Sequence, residues 1–240
     1  MSVTVPQGFR ATGVVAGLKA SGKPDVALVV NDGPDHHAAA VFTSNRVVAA
    51  PVLWSRQVLG DGRADAVVLN SGGANACTGR EGFQDAHRTA EHVGKALELS
   101  AGDVVVCSTG LIGERLPMDR LLAGVDAAAA GLAEDGGYAA ATAIMTTDTV
   151  AKEATAHRDG WSVGGMAKGA GMLAPALATM LVVLTTDAVA EGADVDHAVR
   201  AAAALTFDRI DSDGCQSTND TVLLMASGGS LVRPSRAELT

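Results

Sequence analysis

Four short segments of this chain gather hydroxyl, amide or charged side chains, three of them beside glycines. They are NSGGANACTGR (Asn70–Arg80), CSTGLIGERLPMD (Cys107–Asp119), MTTDT (Met145–Thr149) and AKGAGMLAPALATM (Ala167–Met180). Taken singly, each is explained by turn geometry, because glycine permits tight turns and close backbone approach. The last segment adds Thr179 directly after a small residue, Ala178. A threonine hydroxyl is a poor nucleophile until a base takes its proton. Breaking the Ala178–Thr179 bond would create that base, an α-amine with an ordinary pKa of about 7.7–8.0 within reach of its own hydroxyl. A small residue before the threonine eases the N→O acyl shift that starts such a cut. Cleavage and acyl transfer both pass through a tetrahedral oxyanion, which needs preplaced donors. Thr109 and Gly110, just beyond an apolar run, have suitable types: one adds a hydroxyl, the other a backbone N–H unscreened by a Cβ. The bland alternative for that pair is a turn ending a strand.

Other chemistries find less support. Gly17–Lys23 (GLKASGK) resembles a phosphate loop, but Pro24 follows. A phosphate loop needs Ser or Thr there for magnesium, and a helix whose N–H groups face the phosphates, so a turn is expected. His36 and His37 are neighbours that would point apart, and His87 and His92 are five apart, off a shared helix face. Three scattered cysteines (Cys77, Cys107, Cys215) without C-x-x-C spacing argue against a zinc site and for a reduced, cytoplasmic setting. No metal and no organic cofactor is expected.

The elements that must hold these segments follow from hydrophobic periodicity. Apolar runs between turn residues predict strands at Asp25–Asn31, Ala38–Phe42, Ala64–Leu69, Asp103–Cys107, Val150–His157, Ser162–Ala167 and Met180–Thr185. Helical spacing predicts helices over Phe83–Leu99, the first with Thr78 and Glu81 as its cap, and over Met118–Leu132, Gly137–Met145 and Asp194–Phe207. Strands alternating with helices give an α/β chain of layered sheets with flanking helices. Ser235 and Glu238 form an S-x-x-E capping box that opens one more helix. The 18 uncharged residues between Lys168 and Asp187 reach the length of a spanning helix, but Gly169, Gly171 and Pro175 interrupt them, and MLVVL reads as a buried strand. No membrane association is expected. The net charge of −9, with no two Lys or Arg adjacent, leaves nothing to neutralise a phosphate backbone, so no nucleic-acid partner is expected either. The core is built from Ala, Val, Leu and Met, since 48% of residues are hydrophobic but only 3% aromatic.

In order, PQGFRATG (Pro6–Gly13), Ser71–Gly79, the Thr109–Gly110 pair, K-G-A-G-M-x-A-P-x-x-A-T-M and RIDSDGCQSTNDTV (Arg209–Val222) span nearly the whole chain. This set resembles the ornithine acetyltransferase family, the bifunctional glutamate N-acetyltransferases of arginine synthesis. The resemblance implies a self-processing fold of the N-terminal-nucleophile kind, cut between Ala178 and Thr179. That cut would give an α chain, residues 1–178, holding the main domain, and a β chain, residues 179–240, holding a second, incomplete domain. It implies that Thr179 carries acetyl from N-acetyl-L-ornithine to L-glutamate, with Thr109 and Gly110 as oxyanion stabilisers. Lys168 and Thr146 become substrate contacts beside Thr179, with Thr147 the adjacent fallback. Lys168 suits a substrate carboxylate; a solvated turn lysine is its bland reading. Some members also take acetyl-CoA, which no residue here decides. Asn219 and Asp220 belong to the pattern, but their chemistry alone assigns no role. An α2β2 heterotetramer is implied as the assembly. The family's β chain runs further and carries an acidic substrate contact, so this chain is expected to be truncated and of little or no transferase activity by itself. Two rival readings are a self-processing aminopeptidase or amidase of the same architecture, and an inactive remnant.

Overall fold

The strands form where Val, Leu and Ala run together, and their burial shows why. Every residue of Val26–Asn31 is buried, as are the first six of Ala66–Gly73 and of Val104–Leu111, so these strands are covered on both faces. The structure is a computed structural model describing residues 2–172, 180–211 and 213–240; Ala178 and Thr179 lie outside the described residues. In chain order its elements are β1 (Phe9–Val14), β2 (Val26–Asn31), β3 (His37–Phe42), α1 (Ala50–Val58), β4 (Ala66–Gly73), α2 (Gly79–Leu97), β5 (Val104–Leu111), α3 (Met118–Ala130) and α4 (Gly137–Ala143). They continue with β6 (Lys152–Arg158), β7 (Trp161–Lys168), β8 (Leu181–Thr186), α5 (Gly192–Leu205), β9 (Thr221–Ala226) and α6 (Arg236–Leu239).

Two sheets result. The first has the order β1-β2-β4-β5, antiparallel except for the β4–β5 pair, where Val67 lies opposite Val105. The second has the order β3-β9-β8-β7-β6, antiparallel except for β8–β9, where Val183 lies opposite Leu223. Strand side chains alternate between faces, and the second sheet uses both. Leu181, Val183, Leu223 and Met225 join the large core shared with the first sheet, whereas Val182, Val222 and Leu224 pack with Val195, Ala198 and Val199 of α5. Helices α2 and α3 feed Ala86, Ala90, Val93, Leu121 and Val125 into the same large core. The expected layered α/β architecture is therefore present, with helices outside two facing sheets.

Three elements were not expected from periodicity: β1, α1 and β9. Helix α1 closes the open edge of β5 with side chains instead of a strand. Ser55 Oγ donates to Val106 O (2.7 Å) and accepts from Val106 N (3.0 Å), while Trp54 Nε1 donates to Val104 O (3.0 Å). An unpaired edge is thereby satisfied and hidden. The expected cap of α2 is corrected: Thr78 is the N-cap but makes no side-chain cap bond, because its Oγ1 donates to Asn75 Oδ1 (2.7 Å). The box at Ser235 and Glu238 does form, with Ser235 N donating to Glu238 Oε2 (2.8 Å), and opens α6. The phosphate-loop look-alike is a turn around a buried carboxylate. Its N–H groups at Ala16, Leu18 and Lys19 donate to Asp25 at 2.6, 2.6 and 3.0 Å. Among the described residues no helix is long and apolar enough to cross a membrane, and the MLVVL run supplies β8.

Candidate active site

The polar segments converge at one end of both sheets. There β4 and β5 finish, β7 finishes, and β8 and β9 begin. Two glycines make the convergence possible. Gly110 has φ +133°, and a Cβ there would stand 2.5 Å from Gly72 C and 2.6 Å from Gly73 N. Gly72 has φ +111° and lies against Leu18 O. Any larger residue at either place would push the strand ends apart.

Across the gap between the sheets, Lys168 Nζ donates to Thr109 Oγ1 at 3.2 Å. Lys168 is only 2% exposed. Burial pushes its pKa down to about 8 against the pull of Asp148 and Asp220. With its lone pair engaged by Lys168, the Thr109 hydroxyl is free to donate its own proton elsewhere. Gly110, the next residue, is exposed.

Thr146 and Thr147 are exposed in the turn before β6. Asp148, which periodicity did not single out, ties that turn to the end of β7. Its Oδ2 accepts from Thr146 N (3.2 Å), and its Oδ1 accepts from Gly169 N (2.8 Å) and from Lys152 Nζ. Burial works to raise the Asp148 pKa, but these donors outweigh it and the net shift is downward. Thr146 is thus joined to the Lys168–Gly169 segment through Asp148.

Asn219 and Asp220 acquire concrete partners. Asn219 Nδ2 donates to Ala74 O (2.6 Å) and its Oδ1 accepts from Thr218 Oγ1 (2.5 Å), which ties the start of β9 to the Asn70–Arg80 segment. Asp220 is fully buried, and its Oδ1 accepts from Met180 N (2.9 Å). Its Oδ2 has no hydrogen-bond partner among the described residues; the Ser217 and Thr43 hydroxyls lie nearby, and Thr43 Oγ1 donates instead to Ser217 O (2.7 Å). Burial raises the Asp220 pKa to about 7, against the Met180 N–H, the Ser217 hydroxyl, Lys168 and the Thr43 hydroxyl. Asp213, earlier in the same motif, accepts from Met172 N (2.7 Å). Asp148 was not singled out in the sequence, and Asp220 was named there without a role; the partners Gly169 and Met180 that give them one come from distant segments.

Ala74, Thr109, Gly110, Ile112, Met172, Ser217, Thr218 and Asn219 line a small hollow at this end. A larger hollow of about 680 Å³ lies over the β3 edge, lined by Arg56, Asp61, Asp196 and Arg200 among small and apolar residues. Asp196 and Arg200 are already paired there (2.9 Å), and none of the motif residues lines it, whereas Thr109, Gly110 and Asn219 line the smaller hollow. Among the described residues no group of three His, Cys, Asp or Glu could hold a metal ion.

A layered α/β protein whose two sheets meet at a glycine-lined, lysine-bearing end is the class these features define. In fold alone it is like the L-aminopeptidase D-Ala-esterase/amidase of Ochrobactrum anthropi, a variant of the Ntn-hydrolase fold. That likeness has a TM-score of 0.53 and 14% identity over 94% of this chain and 73% of the other. The chain belongs to the ArgJ family, whose sequence profile matches residues 10–240. It is 67% identical over 238 residues to the arginine biosynthesis bifunctional protein ArgJ of Streptomyces avermitilis, covering 99% of this chain and 62% of that relative's length. It is also similar to the ornithine acetyltransferase of Mycobacterium tuberculosis, solved in complex with ornithine. There the TM-score is 0.72 and the identity 60%, over 75% of this chain and 96% of the other.

Proposed function

We propose that this chain supplies the nucleophile and oxyanion elements of a self-processing acetyltransferase. In this reading the Ala178–Thr179 bond is cut, and Thr179 takes acetyl from N-acetyl-L-ornithine and gives it to L-glutamate. The α-amine of Thr179 accepts the hydroxyl proton as the acetyl carbonyl is attacked, then returns it to the leaving ornithine amine. The amine of glutamate attacks the acetyl-threonine ester, and Thr179 regains its proton. Thr109 O–H and Gly110 N–H face the oxyanion in both halves. Lys168 and Thr146 contact substrate, Lys168 at a carboxylate. The observation that carries this reading is the Lys168–Thr109 hydrogen bond, which joins two sequence-distant motifs at a glycine-lined opening. The ornithine bound to the Mycobacterium tuberculosis relative supports the substrate class. An α2β2 assembly in the cytoplasm, free of metal and organic cofactors, completes the proposal.

The test is to mix the protein with N-acetylornithine, quench in acid, and look by mass spectrometry for one hydroxylamine-labile acetyl group on a peptide beginning at Thr179. Addition of glutamate should discharge it into N-acetylglutamate. Release of free acetate at the same rate with and without glutamate would mark an amidase instead.

A further inference from the structure

Asp148 stands in the turn before β6, and the acetyl-transfer scheme gives it no part. Its side chain is fully buried, yet three donors from separate places converge on it. Oδ2 accepts from Thr146 N in the same turn at 3.2 Å. Oδ1 accepts from Gly169 N, just past β7, at 2.8 Å and from Lys152 Nζ on β6. Lys152 Nζ also donates to Gly169 O at 3.0 Å, so both backbone polar groups of Gly169 are held. Lys152 itself lies opposite Ala167 in the β6–β7 ladder. The ladder fixes the strands, and the carboxylate fixes what hangs from their ends: the Thr146 turn on one side, the Lys168–Gly169 peptide on the other. A buried carboxylate satisfied in this way is a rigid node, because withdrawing any donor leaves charge unpaired.

Ornithine and glutamate differ along their side chains but share an α-carboxylate, so one site that serves both must recognise the shared group. Resting on the acetyl-transfer reading above, we propose that Asp148 is the positioning residue of that carboxylate site, locking Thr146 and Lys168 into one unit. It touches no substrate and acts through the two residues that do. A second anion beside an anionic substrate would be a liability if it were free; here Lys152 and two N–H groups absorb its charge. That charge also acts on Lys168. The charged groups facing Lys168 are Asp148 from the turn, Lys152 from β6, Asp220 just before β9 and Lys19 from the loop before β2. The two acids favour its ammonium form and the two lysines oppose it, with Asp148 the stronger acid influence and Lys152 the stronger basic one. Asp148 therefore both places Lys168 and keeps it charged for an anionic ligand.

Two readouts need no turnover. In the parent chain, hydrogen exchange should find the Thr146 and Gly169 amides protected to a similar degree, since one carboxylate holds both. A Thr146 amide exchanging at the free rate of an exposed turn would overturn the lock. The lysines are Lys19, Lys23, Lys95, Lys152 and Lys168, few enough for NMR with 13C-labelled lysine, the Lys168 signal being the one lost in Lys168→Met. Its titration, near 8 in the parent, should fall by about one pH unit or more in Asp148→Asn and rise in Lys152→Met. Titration unchanged in both variants would overturn the charge role. Asparagine also sets an N–H₂ group against one of the two N–H donors, so Asp148→Asn breaks the lock as well. In a chain extended to its relatives' length, Asp148→Asn should raise KM for N-acetylornithine at least about tenfold while kcat stays within about threefold, the split of a lost binding contact. A fall in kcat with KM unchanged would overturn the positioning role. If Asp148→Asn does not fold, exchange in the parent and the Lys152→Met titration decide. An extended parent that transfers no acetyl, with Thr146 and Gly169 still protected together, would overturn the acetyl-transfer reading and the carboxylate site with it, while the lock stood.

Discussion

Lys168 is only 2% exposed, and its hydrogen-bond partner among the described residues is a neutral hydroxyl. Such a group is expensive to keep charged, which makes its retention informative. Replacing it with Met should leave a packed interior but strip Thr109 of its donor and Asp220 of a nearby cation. In a chain extended to its relatives' length, steady-state kinetics of Lys168→Met should show kcat/KM for acetyl transfer at least about 100-fold lower, the scale of losing one buried, charge-assisted contact. A second residue-scale expectation concerns Asp220 in an uncut Thr179→Ala background. Its folded pKa of about 7 stands above the ordinary carboxylate value of 3.8. The group therefore adds stability fully present below about pH 4, which drains away as pH rises through 7. Asp220→Asn should lack this slope, so urea unfolding at pH 4.5 and 7.5 should find the variant gaining on its parent by on the order of 3 kcal/mol. A constant difference at both pH values would mean the carboxyl titrates normally. At this scale the sequence was legible where chemistry is local. Thr109, Gly110 and Lys168 stand out by type within short motifs, and the fold brings the first and last into contact. Asp148 and Asp220 were not legible as partners, because each works on backbone groups 21 and 40 residues away, at Gly169 and Met180.

At the scale of elements, the close approach of β4 and β5 depends on the absence of one methyl group. Gly110→Ala would place a Cβ against the backbone of Gly72 and Gly73, at a φ of +133° that side chains seldom adopt. The strand ends must then separate. A destabilisation of about 2–4 kcal/mol is expected, with cleavage and transfer lost well before the protein unfolds. Thermal denaturation and intact mass would read the two effects separately, and an alanine variant that is as stable and as quickly cut as its parent would mean the approach is unimportant. Periodicity found the long helices α2, α3 and α5 and the Val-rich strands, because each repeats its apolar positions over one or two full periods. It missed β1, whose FRATGV mixes Arg, Thr and Gly, and β9, whose buried TVLLMA lies inside a longer motif read only for its polar residues. It missed α1 because Pro51 and Ser55 mask a helix in which Ser55 faces a strand edge rather than solvent. The cap of α2 failed for a related reason: Asn75 competes for the Thr78 hydroxyl, and competition of that sort is invisible in a four-residue pattern.

For the whole molecule, the strand order of the second sheet decides what cleavage at Ala178–Thr179 would do. Residues after that bond contribute β8 and β9, which sit side by side in the middle, and residues before it contribute β3 on one flank and β7 with β6 on the other. The β3–β9 and β7–β8 seams each run for six paired residues, and Leu223 and Met225 lie in a core shared with the first sheet. Severing the chain there would make two polypeptides by covalent count while leaving one cooperative folding unit. Dilution should not separate them, since residues 1–178 would keep the first sheet but lose the centre of the second, and parting them would be unfolding rather than dissociation. The cut protein should therefore keep a single, concentration-independent melting transition and co-elute as one species at nanomolar levels. Residues 179–240 made alone should be unstructured by circular dichroism, and mixing them late with folded 1–178 should restore little, because the gap they must fill is the centre of the sheet. The bond would be a zymogen switch without a departing propeptide: what is released is an amine in place, and nothing leaves.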